Sequence, residues 1–105
     1  MLRIFNVKQG DAFSFTVTFK NLTEDLTTFQ MGVKRDYDDS TMLITKSLGN
    51  GITKLSTGKY EIDLTPAETG ALTPDIYVYD LRMTLENIVF TPLYGCFNIQ
   101  ETVFE

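Results

Sequence analysis

Hydrophobic and polar residues alternate most regularly between Phe13 and Lys20. Four large apolar side chains fall on one face of this segment, namely Phe13, Phe15, Val17 and Phe19. A period of two is typical of a β-strand with one buried face. Burying each large side chain is worth roughly 1.5–3 kcal/mol. We therefore predict that this strand anchors a core that it shares with Ile62 and Phe97.

Other segments with strand-like patterns follow along the chain, and the whole pattern predicts about seven strands joined by short polar connections. These segments are residues 2–7, 29–35, 42–44, 59–65, 76–84, 88–91 and 96–104. Gly49-Asn50-Gly51 predicts a tight reversal, because glycine adopts positive φ angles without steric cost. Proline and glycine weaken a strand ladder, so we expect an interruption at Pro92 and a bulge at Gly95.

One short helical turn is predicted between Thr65 and Gly70. Threonine as the cap, proline at the first helical position and Glu68 at the third form a capping box. Gly70 comes too soon for a long helix, so the turn is predicted to cross from one sheet to another. Tyr77 follows, and its hydroxyl is placed to bond upstream backbone, as at the corner of immunoglobulin-type sandwiches. The chain as a whole, residues 1–105, is predicted to form one all-β sandwich domain.

Two segments are apolar on both faces, Ile76-Tyr77-Val78-Tyr79 and Ile88-Val89-Phe90. A sheet with one face in water is expected to alternate instead. One interpretation is a central strand with tolerated surface side chains. The other is that the second face packs against another subunit or a second copy, because exposed apolar patches usually mark contacts. The candidate partner-interface residues are Ile76, Val78, Ile88 and Phe90.

Composition argues against most catalytic chemistry. The chain has no histidine and one cysteine, Cys96, so an activated thiol and an internal disulfide are both disfavoured. We expect no enzyme activity, no catalytic residue and no cofactor. The net charge is −5, which disfavours nucleic acid as a partner. No apolar run approaches the roughly 20 residues of a spanning helix, so no membrane partner is expected.

Asp36, Asp38 and Asp39 are close in sequence and offer oxygen ligands of the kind that calcium prefers. They also fit a solvated acidic turn, which is the interpretation that we favour, since aspartate bonds its own backbone in turns. The first eight residues lack the long apolar centre of a secretory signal. We therefore expect folding in a reducing cytoplasm, without secretion by a signal peptide.

The chain resembles small proteins of phage and prophage structural clusters from Gram-positive bacteria. It is similar in particular to the N-terminal immunoglobulin-like domain of upper baseplate proteins. The segments that carry the likeness are Gly10–Phe15, Gly58–Gly70, Leu72–Pro74, Tyr77–Leu81 and Gly95–Ile99. The resemblance implies a single antiparallel immunoglobulin-like β-sandwich.

The resemblance also implies a function. It indicates a non-enzymatic structural or adaptor protein of a phage particle, in the tail or baseplate, which folds in the bacterial cytoplasm and is incorporated into the virion. Its partners would be other phage structural subunits or a second copy of itself, giving a homo-oligomer. The alternative is a small module that binds a carbohydrate or another cell-surface ligand through loop aromatics such as Tyr37 and Tyr94.

Overall fold

The computed structural model describes residues 2–20, 22 and 24–104. Within them the chain is nearly all β, with 59% of residues in strands and 5% in helix. The elements are β1 (Phe5–Lys8), β2 (Phe13–Thr18), β3 (Thr28–Lys34), β4 (Ile44–Leu48), β5 (Gly51–Ser56), β6 (Lys59–Leu64), α1 (Pro66–Gly70), β7 (Asp75–Leu85) and β8 (Ile88–Gln100).

The strands form one eight-stranded sheet in the order β1-β8-β7-β3-β4-β5-β6-β2, which curls until it is nearly barrel-shaped. Two neighbouring pairs run parallel, β1 with β8 and β4 with β5. The prediction of an antiparallel arrangement was therefore wrong, because the sheet is mixed. The described residues form eight strands, close to the predicted number of about seven.

The parallel β4–β5 pair explains why the prediction of a tight reversal at Gly49-Asn50-Gly51 was wrong. Gly49 and Gly51 have φ angles of 82° and 91°, and the predicted reversal at these residues does not occur. The chain steps sideways instead, so that Ser47 pairs with Gly51 and both strands continue in the same direction. β5 was not predicted, and β4 begins two residues later than the start of the predicted segment.

The interior lies on the concave side of the curled sheet. The Phe5 ring of β1 lies 4.5 Å from the Phe15 ring, and the Phe13 ring lies 5.6 Å from the Phe97 ring. Phe15 also pairs with Ile62, which confirms the predicted shared interior. Burial is less complete than predicted, because β2 is an edge strand: Phe15 is buried, whereas Phe13, Val17 and Phe19 are half-buried.

Two predictions about local structure are confirmed. The Thr65 hydroxyl accepts a hydrogen bond from the Glu68 N–H at 3.2 Å, and the Glu68 carboxylate accepts one from the Thr65 N–H at 2.9 Å. These bonds complete the capping box of α1. The Tyr77 hydroxyl donates to the Thr73 carbonyl oxygen at 2.6 Å, which is the predicted bond to upstream backbone.

The last part of the chain agrees with the prediction only in part. The two expected segments, 88–91 and 96–104, are parts of one strand that runs through Pro92. The predicted bulge at Gly95 was wrong, because Gly95 pairs with Tyr79 in regular register. The predicted interruption at Pro92 is confirmed as a register shift: Met83 pairs with Phe90 and Leu81 with Leu93, so Thr91 and Pro92 together face Arg82 alone. The long β7–β8 ladder absorbs the proline by this shift.

Candidate functional site: an outer face of the sheet

Two of the four predicted interface residues lie on the outer, convex face of β7. Ile76 and Val78 alternate with Tyr77 and Tyr79, which are buried in the interior. Ile76 is exposed and Val78 is half-buried. The second apolar face that the sequence indicated on this strand is therefore a real feature of the surface.

Pairing between strands extends this face in both directions. Val78 pairs with Cys96 of β8, and Asp80 pairs with Tyr94. On the other side of β8, Leu2 forms a parallel bridge with Tyr94. Ile4 precedes the inward-facing Phe5 and is itself exposed, so it shares the outer face.

We call this set the outer apolar patch: Leu2, Ile4, Ile76, Val78, Tyr94 and Cys96. Four of its members are well exposed, Leu2 at 64%, Ile76 at 59%, Ile4 at 56% and Tyr94 at 41%. Sequence reasoning did not assign Leu2 and Ile4 to an interface. Their alternation with the buried Phe5 was the signal that could have found them.

Backbone contacts hold the N-terminal part of the patch in place. The Arg3 N–H donates to the Tyr94 carbonyl oxygen at 2.9 Å. The Tyr79 hydroxyl donates to the Arg3 carbonyl oxygen at 2.8 Å, from a side chain that is buried in the core. Burial raises the pKa of Tyr79 to about 12, so this hydroxyl keeps its proton at neutral pH. Leu2 and Ile4 are thus fixed on either side of an anchored residue.

The other two predicted interface residues lie elsewhere. Phe90 pairs with Met83 and Ile88 pairs with Leu85, and Met83 and Leu85 face the interior. Phe90 lines a shallow opening of about 420 Å³ at one end of the sheet, beside Phe19 and Leu22. The β7–β8 register shift between Leu81 and Met83 separates this end of the hairpin from the part that carries Ile76 and Val78. The structure therefore groups Ile76 with Val78 and separates both from Ile88 and Phe90.

A groove of about 520 Å³ adjoins the patch on the same outer face. Its lining includes Gly32 of β3, Val78 and Asp80 of β7, and Tyr37 and Met42 from the loop after β3. A Cβ atom at position 32 would lie 2.7 Å from the Met42 sulfur. Glycine at this position therefore lets the Met42 side chain cross the strand closely.

Of the two aromatic residues predicted for the alternative function, Tyr37 lines this groove. Tyr94 was predicted in a loop, but it lies in β8 outside the groove lining, close enough to Tyr37 to influence its hydroxyl. Burial raises the pKa of Tyr37, and the nearby Asp80, Cys96 and Tyr94 raise it further. The Tyr37 hydroxyl therefore stays neutral, and it faces a region with a carboxylate and a second phenol. Tyr37 remains 58% exposed.

The acidic loop shows turn structure. The Asp39 N–H donates to the Asp36 carbonyl oxygen at 3.1 Å. Across residues 2–20, 22 and 24–104, no three side chains of histidine, cysteine, aspartate or glutamate converge in a way that could hold a metal ion. In the same part of the chain, no helix has the length and apolar character needed to cross a membrane.

Sequence reasoning also missed a partly buried ion pair, that of Lys46 with Glu68. The Lys46 amine lies 2.6 Å from the Glu68 carboxylate, and Lys46 is 7% exposed. Burial acts to raise the pKa of Glu68. The hydrogen bonds from Lys46 and from the Thr65 N–H outweigh it and hold the pKa below its ordinary value of 4.5. The pair connects β4, which carries Lys46, to α1, which carries Glu68.

We expect Glu68→Gln to destabilise the protein at pH 7 by about 1–3 kcal/mol, because it removes the charged partner of a buried amine. Because the pKa of Glu68 is lowered in the folded state, the stabilisation by its carboxylate is complete above the ordinary carboxyl pKa. It is lost as the pH falls from there through the lowered pKa. The difference between wild type and Glu68→Gln should therefore shrink toward pH 3. Urea unfolding at both pH values measures it, with Glu24→Gln as the control, and a difference that does not depend on pH would contradict the assignment.

The chain matches no protein-family model, and no curated protein is significantly similar to it.

Proposed function

We propose that this chain is a non-enzymatic structural or adaptor protein of a phage or prophage particle, which assembles through the outer apolar patch. The observation that carries the proposal is the patch itself. Its members come from three adjacent strands or their extensions, and four of its large side chains remain exposed although the opposite face of the sheet already has a filled core. Such patches usually mark contacts with another protein.

The distribution of apolar and charged residues supports a protein partner. The patch offers an apolar centre, and the charged residues Lys34, Asp80 and Arg82 line the adjoining groove. An apolar centre with a polar rim is the usual arrangement of such interfaces. The net charge of −5 favours solubility of the subunit before assembly.

We further infer that the curled sheet is an immunoglobulin-like sandwich with its two halves joined along β4 and β5. The strands β8, β7, β3 and β4 are neighbours, as are β5, β6 and β2. This division, with a short helical turn before β7, is consistent with the two sheets of that fold. The Tyr77 hydroxyl bond to the Thr73 carbonyl supports it, because a tyrosine near the start of this strand makes the same kind of bond in immunoglobulin-type sandwiches.

The test of the proposed role is incorporation into particles. Ile4→Lys and Ile76→Lys place charges within the patch without touching the core, so we expect folded variants that are lost from purified particles. The measurement is the amount of this chain in sedimented particles by quantitative mass spectrometry, alongside circular dichroism of the isolated variants. Leu55→Lys, at an exposed apolar residue outside the patch, is the matched control. Normal incorporation of both patch variants would refute the role of the patch.

A second function is favoured by one observation. Tyr37 and Asp80 line a groove large enough for a sugar ring, and Tyr94 lies close to Tyr37. Exposed aromatic rings beside a carboxylate could bind a carbohydrate. This alternative predicts that a defined oligosaccharide raises the melting temperature and that Tyr37→Ala abolishes the shift. The assembly role predicts no glycan-dependent shift and little effect of Tyr37→Ala on incorporation.

A further inference from the structure

β2 ends the sheet, and its sequence is unusual for an edge strand. It pairs with β6 on one side and with no strand on the other among the described residues. Its six residues, Phe13–Thr18, include no charged side chain, proline or glycine. Natural edge strands commonly carry such residues, because they prevent pairing with another chain. β2 therefore lacks the usual protection against strand addition.

The outward-directed backbone groups can be identified from the neighbouring hydrogen bonds. The Phe19 N–H donates to the Gly58 carbonyl oxygen at 2.7 Å, in continuation of the β2–β6 register. In an antiparallel pair, alternate residues direct both backbone groups toward the same neighbour. Residues of the same parity as Phe19 therefore bond to β6. The N–H and C=O groups of Ser14, Thr16 and Thr18 face the open edge.

The inward side chains of β2 are also incompletely covered. Phe13, Val17 and Phe19 belong to the interior face but remain half-buried, whereas the inward Tyr77, Tyr79, Leu81 and Met83 of the central strand β7 are all fully buried. The absence of a neighbouring strand explains the difference. An added strand would satisfy the outward backbone groups and cover these apolar side chains together.

We propose that this edge pairs with β2 of a second copy of the chain, antiparallel about a two-fold axis at Thr16. In that register Thr16 lies opposite Thr16 of the second copy, and Ser14 lies opposite Thr18. The Ser14–Thr18 pair occurs twice, once on each side of the axis, so three facing pairs form, and each exchanges two hydrogen bonds. The aromatic faces of both copies stay on the same side of the joined sheet, and Phe13 lies opposite Phe19.

Self-pairing is favoured by the charges that flank the strand. Asp11 precedes β2 and Lys20 follows it, so antiparallel pairing brings Lys20 of each copy beside Asp11 of the other. Thr16 pairs with Thr16, and cross-strand threonine pairs are favourable in sheets. Glu61 of the two copies would be separated by three strand spacings, about 14 Å, and is therefore largely screened at physiological salt.

The inference deepens the proposed function, on which its biological setting rests, but its first test needs only the purified protein. Sedimentation equilibrium should show wild type as a concentration-dependent dimer. Thr16→Pro removes an N–H that does not bond to β6, so it should keep the circular dichroism spectrum and yield a monomer. Thr16→Ser should still dimerise. A wild-type monomer, or a Thr16→Pro variant that dimerises like wild type, would overturn the inference.

Cysteine crosslinking tests the register. In a Cys96→Ser background, Thr16→Cys should form a disulfide-linked dimer on oxidation, because facing residues have Cα atoms about 5.5 Å apart and within disulfide reach. Ser14→Cys alone should not crosslink, whereas a mixture of Ser14→Cys and Thr18→Cys should. Efficient crosslinking of Ser14→Cys alone, without that of Thr16→Cys, contradicts this register. If the protein is monomeric but the outer-patch variants are still lost from particles, the dimer fails and the proposed function stands.

Discussion

Phe15→Asp is expected to unfold the protein. Phe15 is 8% exposed, and its ring lies 4.5 Å from Phe5 and 5.8 Å from Phe13. Removing a large aromatic side chain from a core costs about 3–5 kcal/mol, and an unpaired buried carboxylate adds to that cost. The total free energy of unfolding of a domain is only about 5–15 kcal/mol, so we expect the substitution to remove the stability of this small fold.

Far-UV circular dichroism with a thermal melt measures the effect. Phe15→Leu keeps an apolar side chain and should remain folded with a lower melting temperature. Thr18→Asp is the matched control, since it adds the same charge on the exposed face of the same strand, opposite Lys59. A cooperative melt for Phe15→Asp near that of wild type would mean that the side-chain direction assigned to β2 is wrong.

Gly95→Ala is expected to cause the second large loss. Gly95 has a φ angle of 150°, and a Cβ atom there would overlap the Arg3 carbonyl oxygen. That oxygen accepts the Tyr79 hydroxyl bond, so relief of the clash must displace the segment that carries Leu2 and Ile4. Holding a non-glycine residue in such a backbone region costs about 1–3 kcal/mol, and the clash increases it.

Gly49→Ala is the matched control, because Gly49 also has a positive φ angle, 82°, but a Cβ atom there meets nothing within 4 Å. Gly49→Ala measures the cost of a positive φ angle without a clash, so the additional loss in Gly95→Ala in urea unfolding reports the clash together with its more extreme φ angle of 150°. We expect Gly95→Ala to lose clearly more stability and to be poorly incorporated into particles. Equal losses would show that Arg3 does not pack over Gly95.

Local sequence signals were sufficient where neighbouring residues decide the conformation. The alternation from Phe13 to Phe19 predicted the direction of the side chains in β2, because a strand has a strict period of two. The capping box of Thr65 and Glu68 needs residues only three positions apart. The Tyr77 hydroxyl bond spans four residues, so it too is encoded locally.

Strand pairing was less accessible because it depends on distant residues. The parallel pairing of β1 with β8 joins opposite ends of the chain, as in Phe5 with Phe97. No local pattern distinguishes this from an antiparallel arrangement. Pro92 was expected to interrupt the ladder, and the β7–β8 register does shift at this residue, but the strand continues beyond it, which only the pairing with β7 decides. The sideways step at Gly49 and Gly51 uses the same positive φ angles as a reversal would.

Only part of the candidate interface was predicted, because the rest depends on pairing between distant strands. Ile76 and Val78 were identified because they are apolar on a strand whose alternate residues already fill the core. The position of Ile88 and Phe90 depends on the β7–β8 register, which only pairing can establish. Leu2 and Ile4 joined the patch through β1, a strand whose partner could not be known from its own sequence.

By itself the sequence determined that this is a β-rich protein with an aromatic core, a capped turn and surplus apolar side chains on β7. Periodicity and capping are properties of a few consecutive residues, so these features follow from the order of the amino acids. The tertiary structure alone decided that Leu2, Ile4, Ile76 and Tyr94 share one face and that β2 lies at an open edge. Both depend on which strands become neighbours, and that is settled by packing across the whole chain.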